Sequence, residues 1–409
     1  MKRLPLCCLL LCLATGLFAQ SPGYYLLEGK IGSRAACMEI AVYPVQHDRL
    51  PEEIPPVSAY YYFLDEYLPI ALYRSTDADD TGVFSYKNAR TASLVLSTWS
   101  DEGDNQVFTG NFEDRSYRGK LAMGKDTIAF DFLLSDKGGV ERFTPFERHR
   151  IVTVGSDSLK EPLEGTMQFR GFLPDDGRLA EAFTSFITGG AFTDFGVLAE
   201  EQIGLFEEGY QAEMAELLEE IDEQFSYTLH YEYAYSVYPM LNTTDYLIMG
   251  YNTFSYTGGA HGISSQRFYT YRKGDKRWLQ LEDILDVSQE AVINAVLDAE
   301  LRKQYGIAPD VKLSDDKQGI FIADSIHYSS NFILSKQGIT FHYGLYELTP
   351  YAYGYFSLFV PYEKLRAVLR AGFRYDSVSV PVRASRKPAV FQYNPVDPGK
   401  YDKFYTVNF

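Results

Sequence analysis

The chain is 409 residues long, 46% hydrophobic and 15% aromatic, with a formal net charge of −17. That length exceeds one ordinary core and argues for two or three domains. The acidic balance argues against nucleic acid and anionic lipid as partners, since phosphate recognition needs clustered Lys and Arg; it suits a basic partner, and it suits plain solubility equally well.

Residues 1–19 read as a secretory signal peptide. Lys2 and Arg3 precede an apolar stretch from Leu4 to Phe18, and Ala19 supplies a small residue for cleavage. The apolar run is short for a bilayer span. A lipoprotein signal needs a small residue before the modified cysteine, and Cys12 follows Leu11. The mature protein is therefore expected to begin near Gln20, to be exported to the periplasm or cell surface, and to keep no membrane span. Of the four cysteines only Cys37 survives processing. This excludes an internal disulfide and a cysteine metal cluster, and Cys37, in the run AACMEIAVY, reads as a buried small hydrophobe.

Residues 20–150 alternate apolar and polar in short runs separated by turns, which predicts an all-β meander, as a sandwich or a barrel. Gly110, Gly119 and Gly124 are expected at strand ends or bulges. Asp77 to Gly82 opens like a calcium loop, but its twelfth position is Asn88 rather than Glu, so it reads as an acidic turn. Ser135 to Pro162 is charged, Gly-rich and read as a linker.

Residues 160–380 have another character. Leu179–Thr188 and Leu198–Ile221 follow helical spacing. The second carries Ile203, Phe206, Tyr210, Met214, Leu217, Leu218 and Ile221 on one side and a dense glutamate face on the other, read as solvated. Two tyrosine-rich strands follow, then the turn YTGGAHG, then a third strand. Asp286–Tyr305 predicts a helix, with Asp286 as cap and Val292, Ile293, Val296, Leu297 and Leu301 inward. Strand runs close the region. The fold class is α+β, an antiparallel sheet with packed helices, preceded by a small all-β domain. Residues 381–409 form a tail without periodicity.

Motifs that carry chemistry are scarce. HExxH, GxSxG, GxxxxGK[ST] and GxGxxG are all absent. The histidines are scattered, so no catalytic residue, metal ligand or cofactor is assigned. The strongest local signal is Tyr256–Gly262. Gly258 and Gly259 allow φ > 0 between two strands, and Thr257 and His261 offer hydrogen bonds to the turn. Downstream, Tyr351, Tyr353 and Tyr355 alternate with Ala352 and Gly354, which predicts a strand with one aromatic face. Glu347 is a candidate neighbour for His261, where a carboxylate would raise the imidazole pKa.

These residues resemble the RsiV-like C-terminal domain family, domain of unknown function 3298. The pattern is Thr257-Gly258-Gly259-Ala260-His261, then Leu281, Asp283 and Ile284. It closes with Phe332, Gly338, Phe341, Tyr346, Glu347, Pro350, Tyr351, Ala352, Gly354, Pro361 and Tyr362. The resemblance covers about Ser226 to Leu369, with Leu163–Ile221 similar to the domain that usually precedes it. It implies an α+β extracytoplasmic module. In RsiV-type anti-sigma factors that module binds lysozyme, and in some peptidoglycan deacetylases it sits upstream of the catalytic domain. Only Met1 to Arg3 precede the apolar stretch here and the sequence ends at Phe409, so only the module is expected to carry over. The resulting expectation is a non-enzymatic envelope recognition protein for a basic protein such as lysozyme, or for cell-wall glycan. The binding residues are Tyr256, Thr257, Gly258, Gly259, His261, Tyr346, Glu347, Tyr351 and Gly354. The alternatives are an envelope hydrolase or deacetylase-associated protein, metal-dependent or not, and a structural envelope protein.

Overall fold

The computed structural model describes residues 22–43, 57–74, 91–98, 106–113, 115–155, 161–218, 226, 228–317, 319–373 and 375. The segment read as a signal peptide, the Asp77–Gly82 stretch read as an acidic turn and residues 381–409 lie outside the described residues.

The meander closes. Strands β1 (Gly23–Ile31), β2 (Arg34–Val42), β3 (Val57–Phe63), β4 (Ile70–Arg74), β5 (Thr91–Ser97), β6 (Gln106–Glu113), β7 (Ser116–Met123) and β8 (Asp126–Leu134) pair in sequence, and β1 returns to β8 to complete an antiparallel barrel. Its interior is packed with side chains, among them Met38, Tyr61, Phe108, Tyr117, Phe130 and Phe132. The two halves of the wall differ for a physical reason. On β6–β8, Thr109, Arg118, Lys120 and Asp131 point to solvent, so alternation is clean. On β2 and β3 nearly every residue is buried, because the outward-facing Cys37, Tyr60 and Tyr62 join the core of the second domain. Gly110 and Gly119 are not at strand ends or bulges as their type suggested. They face each other in mid-strand across β6 and β7, where the backbones come close. Gly124, at φ +59°, does sit in the β7–β8 turn.

The second domain is built on a six-stranded sheet in the order β14-β13-β12-β11-β10-β9. Strand β9 (Phe143–Val154) pairs along its whole length with β10 (Leu163–Pro174), so the middle of the expected linker is an edge strand. Its polar side chains, Arg148, His149 and Arg150, disguised it; such side chains suit an edge strand. Strands β10 and β11 (Glu232–Asn242) run parallel, which departs from a purely antiparallel sheet. A parallel pair needs a long crossover, and α1 (Gly177–Ile187) and α2 (Phe195–Leu217) provide it. Asp176 and Asp194 cap these helices with side-chain oxygens, which explains their earlier starts. Part of the glutamate face of α2 is engaged rather than merely solvated: Glu200 and Glu207 pair with Arg148 and Arg150 of β9.

Hairpin strands β12 (Tyr246–Tyr256) and β13 (Ile263–Arg272) flank the YTGGAHG turn, and β14 (Arg277–Leu279) completes the sheet. Helix α3 begins at Glu290, later than the sequence spacing suggests, and runs to Tyr305 after a single 3₁₀ turn at Val287–Gln289. Asp286 accepts from the side chains of Ser288 and Gln289 rather than capping backbone N–H groups. Ile293, Leu297 and Leu301 are fully buried, whereas Val292 is exposed, one position off the i, i+4 stripe. A three-stranded sheet, β15 (Phe332–Leu334), β16 (Gly338–Tyr343) and β17 (Phe356–Pro361), packs beside β13. The short helix α4 (Tyr362–Leu365) follows it.

Candidate functional site

The site is assembled at one end of the β12–β13 hairpin. Gly258 and Gly259 take φ +90° and +100°, and a Cβ on Gly258 would lie 2.6 Å from the Thr228 carbonyl oxygen. Only glycine meets both demands. The Tyr256 hydroxyl donates to the Gly259 carbonyl at 3.1 Å and braces the turn, a role the sequence reading gave to Thr257 and His261. Gly259 and Ala260 are exposed, while Thr257 and His261 are half-buried.

A second segment, distant in sequence, meets this turn. Tyr351, Tyr353 and Tyr355 do not share a strand. Residues Tyr351–Tyr353 form a 3₁₀ turn, and Gly354, at φ 69° and ψ −151°, redirects the chain into β17. The expected aromatic strand face is therefore replaced by a turn that fans the rings apart. Tyr351 stacks on His261 with ring centroids 4.4 Å apart, and its hydroxyl donates to the Gly262 carbonyl at 3.3 Å. The Tyr355 hydroxyl donates to Ser264 Oγ at 2.8 Å. Tyr346, at a left-handed φ of 63°, lies 5.4 Å from Tyr351, centroid to centroid. Tyr346 and Tyr353 are 42% and 36% exposed, large for rings in this fold, and both flank Tyr351 in sequence.

Glu347 is not the partner of His261. Its carboxylate accepts from the Gly344 backbone N–H at 2.7 Å and closes its own turn. The expected rise in the His261 pKa is accordingly reversed: burial of the ring lowers it, and Nδ1 is buried without a hydrogen-bond partner. At neutral pH the ring is a neutral stacking surface.

Several contributors left no pattern in the sequence. Asn331 reaches the open edge of β13 beyond its last pair with β14, donating to the Gln266 carbonyl at 2.7 Å and accepting from the Phe268 N–H at 2.9 Å. A side-chain amide thus stands in for a missing strand. Behind Tyr355, His342 is 2% exposed and its Nδ1 lies 2.8 Å from Ser357 Oγ. Burial pushes its pKa down to about 3, so the folded state holds it neutral. The unfolded chain gains a proton below its ordinary value, and stability is lost as pH falls from about 6.5 toward 3. Relative to His342→Gln, the wild-type chain is expected to lose about 1.4 kcal/mol per pH unit over that range, read from urea unfolding at pH 6.5, 5.5 and 4.5. A constant difference between the two would sink the assignment.

Among the described residues, no group of three or more His, Cys, Asp or Glu side chains is placed to hold a metal ion. No helix among them is long and apolar enough to cross a membrane. Cys37 is a free, buried thiol.

Comparison with known proteins places a DUF3298 domain, described as a protein of unknown function, at residues 282–363. The match takes in the Tyr346–Gly354 turn; the YTGGAHG turn, the crossover helices and the barrel lie outside it. Two solved structures of the same family are similar to this chain. A Bacteroides fragilis member is 21% identical, with a TM-score of 0.48, covering 56% of this chain and 94% of its own. A Pseudomonas aeruginosa member is 15% identical, with a TM-score of 0.37 and the same coverage. No curated protein matches the chain.

Proposed function

We propose that this chain, which carries a DUF3298 domain, is an exported recognition protein of the cell envelope. In this reading it binds a basic protein such as lysozyme through the end of the β12–β13 hairpin. The observation that carries the reading is the meeting of two turns 89 positions apart around the His261–Tyr351 stack, with Tyr346 and Tyr353 left open to solvent. Tyrosine offers a large, stiff, amphipathic contact area at low entropic cost, as in protein-binding loops. The glycines and the Tyr256, Tyr351 and Tyr355 hydroxyl bonds hold the surface in one shape before any partner arrives, which reduces the ordering cost of association. A charge of −17 steers a cationic partner toward the molecule. The signal-peptide pattern of residues 1–19 supports export.

Titration calorimetry of the chain from Gln20 onward with a c-type lysozyme tests this. The expected result is saturable one-to-one binding that weakens with added salt. Binding of soluble wall fragments with no response to lysozyme would replace the basic protein with a glycan as the ligand.

A further inference from the structure

The barrel is fastened to the second domain by a buried polar cluster with an odd charge. Glu39 leaves the outer face of β2 and is 1% exposed. Its Oε1 accepts from the Asn242 backbone N–H at 2.6 Å and from the Tyr62 hydroxyl at 3.0 Å; its Oε2 accepts from the Tyr24 hydroxyl at 2.8 Å. Asn242 ends β11 and belongs to the other domain, so this carboxyl spans the seam. The Asn242 side chain donates to the Tyr24 hydroxyl at 3.1 Å and to the Glu141 carbonyl at 2.8 Å. Lys273, just past β13, donates to Asn242 Oδ1 at 3.1 Å and pairs with the Glu141 carboxylate at 3.2 Å.

The charge count is decisive. Among the described residues, Lys273 is the cation that faces this cluster, and Glu141 already holds it. An ionised Glu39 leaves one net negative charge in a buried seam, whereas a protonated Glu39 leaves none; its Oε1–H then donates to the Tyr62 hydroxyl, which turns its own proton toward Cys37 Sγ, so no group of the cluster is orphaned. The other titratable neighbours do not change the sum. Burial raises the pKa of Tyr24, Tyr62 and Cys37, so all three stay neutral. Glu28 and Lys137 pair with each other, and Asp245 acts on Lys273 from outside. Around the cluster the seam is apolar: Leu26, Cys37, Tyr60 and Tyr62 of the barrel meet Tyr238, Met240 and Leu241, with Tyr60 stacked on Tyr238 at 5.9 Å.

We propose that Glu39 is a proton-operated latch: the protonated carboxyl keeps the barrel seated on the second domain, and its ionisation loosens the seam. Burial pushes the Glu39 carboxyl up from 4.5 to about 7 when seated. The seated form therefore binds the proton more tightly than the open form. Seating weakens as pH rises from about 4.5, up to tenfold per pH unit, and levels off above about 7.

Cys37 reports on the seam, since it is buried there and is the single cysteine from Gln20 onward. Its modification by 4,4′-dithiodipyridine, normalised at each pH to the rate of an unstructured thiol peptide, measures opening directly. The expected rate for the wild-type chain rises up to tenfold per pH unit between about pH 4.5 and 7, then flattens. Glu39→Gln, which mimics the neutral carboxyl, is expected to be slow at every pH. A flat normalised rate in the wild type would overturn the latch, and so would the same rise in Glu39→Gln. Should that variant fail to fold, hydrogen exchange of the Asn242 amide in the wild-type chain reads the same opening. Its corrected protection should fall over the same range, and protection independent of pH would be equally fatal.

Discussion

Gly119→Ala is expected to cost about 4 kcal/mol of stability and to keep the barrel from closing, although it adds a single methyl group. A Cβ at Gly119 would fall 2.0 Å from the Thr109 carbonyl oxygen and 2.5 Å from the Gly110 Cα. Both are backbone atoms of the paired strand β6, so no side chain is free to swing away. The strands would have to separate, breaking the β6–β7 ladder beneath the Phe130 and Tyr117 rings that cover Gly110. Overpacking a well-packed interior usually costs ~1–3 kcal/mol, and a backbone clash within a closed barrel adds the lost pairing. Urea unfolding is the measurement. Because the clash begins at Cβ, alanine should already carry most of the loss that valine shows, and an alanine variant within about 0.5 kcal/mol of wild type would contradict the close approach.

The second large effect is expected at Gly258. Gly258→Ala places a Cβ 2.6 Å from the Thr228 carbonyl at a φ of +90°. Backbone strain of this kind costs ~1–3 kcal/mol, and the contact with Thr228 adds to it. The loss should be local. The turn that presents His261 to Tyr351 would be displaced, while the ladder of β1–β8, whose strands pair with one another and not with the β12–β13 hairpin, should remain. In the binding reading, affinity falls at least tenfold. Unchanged stability and unchanged affinity together would mean that the turn tolerates a second geometry.

How much of this was legible in the sequence depends on what each residue's neighbours are. Strands β6–β8 announce themselves because one face is wet, so alternation survives in the text. In β2 and β3 both faces are buried, and the run VSAYYYF signals a buried strand without saying what buries it. Strand β9 was missed because an edge strand carrying Arg148, His149 and Arg150 resembles a linker to any rule based on apolar residues. Both segments of the candidate site were visible as motifs, the second read as a strand rather than a turn, and they do meet. Their joint geometry was not visible. Glu347 was matched to His261 on chemistry alone, yet its carboxylate is satisfied three residues away at Gly344. Asn331 and Glu39 left no trace, since a polar side chain whose partners lie on other strands follows no spacing rule.

The two buried titrations pull in opposite directions. His342 destabilises the fold as pH falls below about 6.5, and Glu39 weakens the seam as pH rises from about 4.5 toward 7. A global melting curve would blend them over their shared range. The thiol of Cys37 and the difference between wild type and His342→Gln separate them, because each responds to one group.

The central claim is that the hairpin end is a recognition surface, and one paired titration tests it most directly. The chain from Gln20 and its Tyr346→Ala/Tyr353→Ala variant are each titrated with a c-type lysozyme at moderate salt. Both substituted rings are exposed, so the variant should keep the wild-type unfolding midpoint. The account predicts saturable one-to-one binding by the wild type and at least tenfold weaker binding by the variant. Equal affinity for the two chains, or no heat from the wild type at about 100 μM, would contradict it.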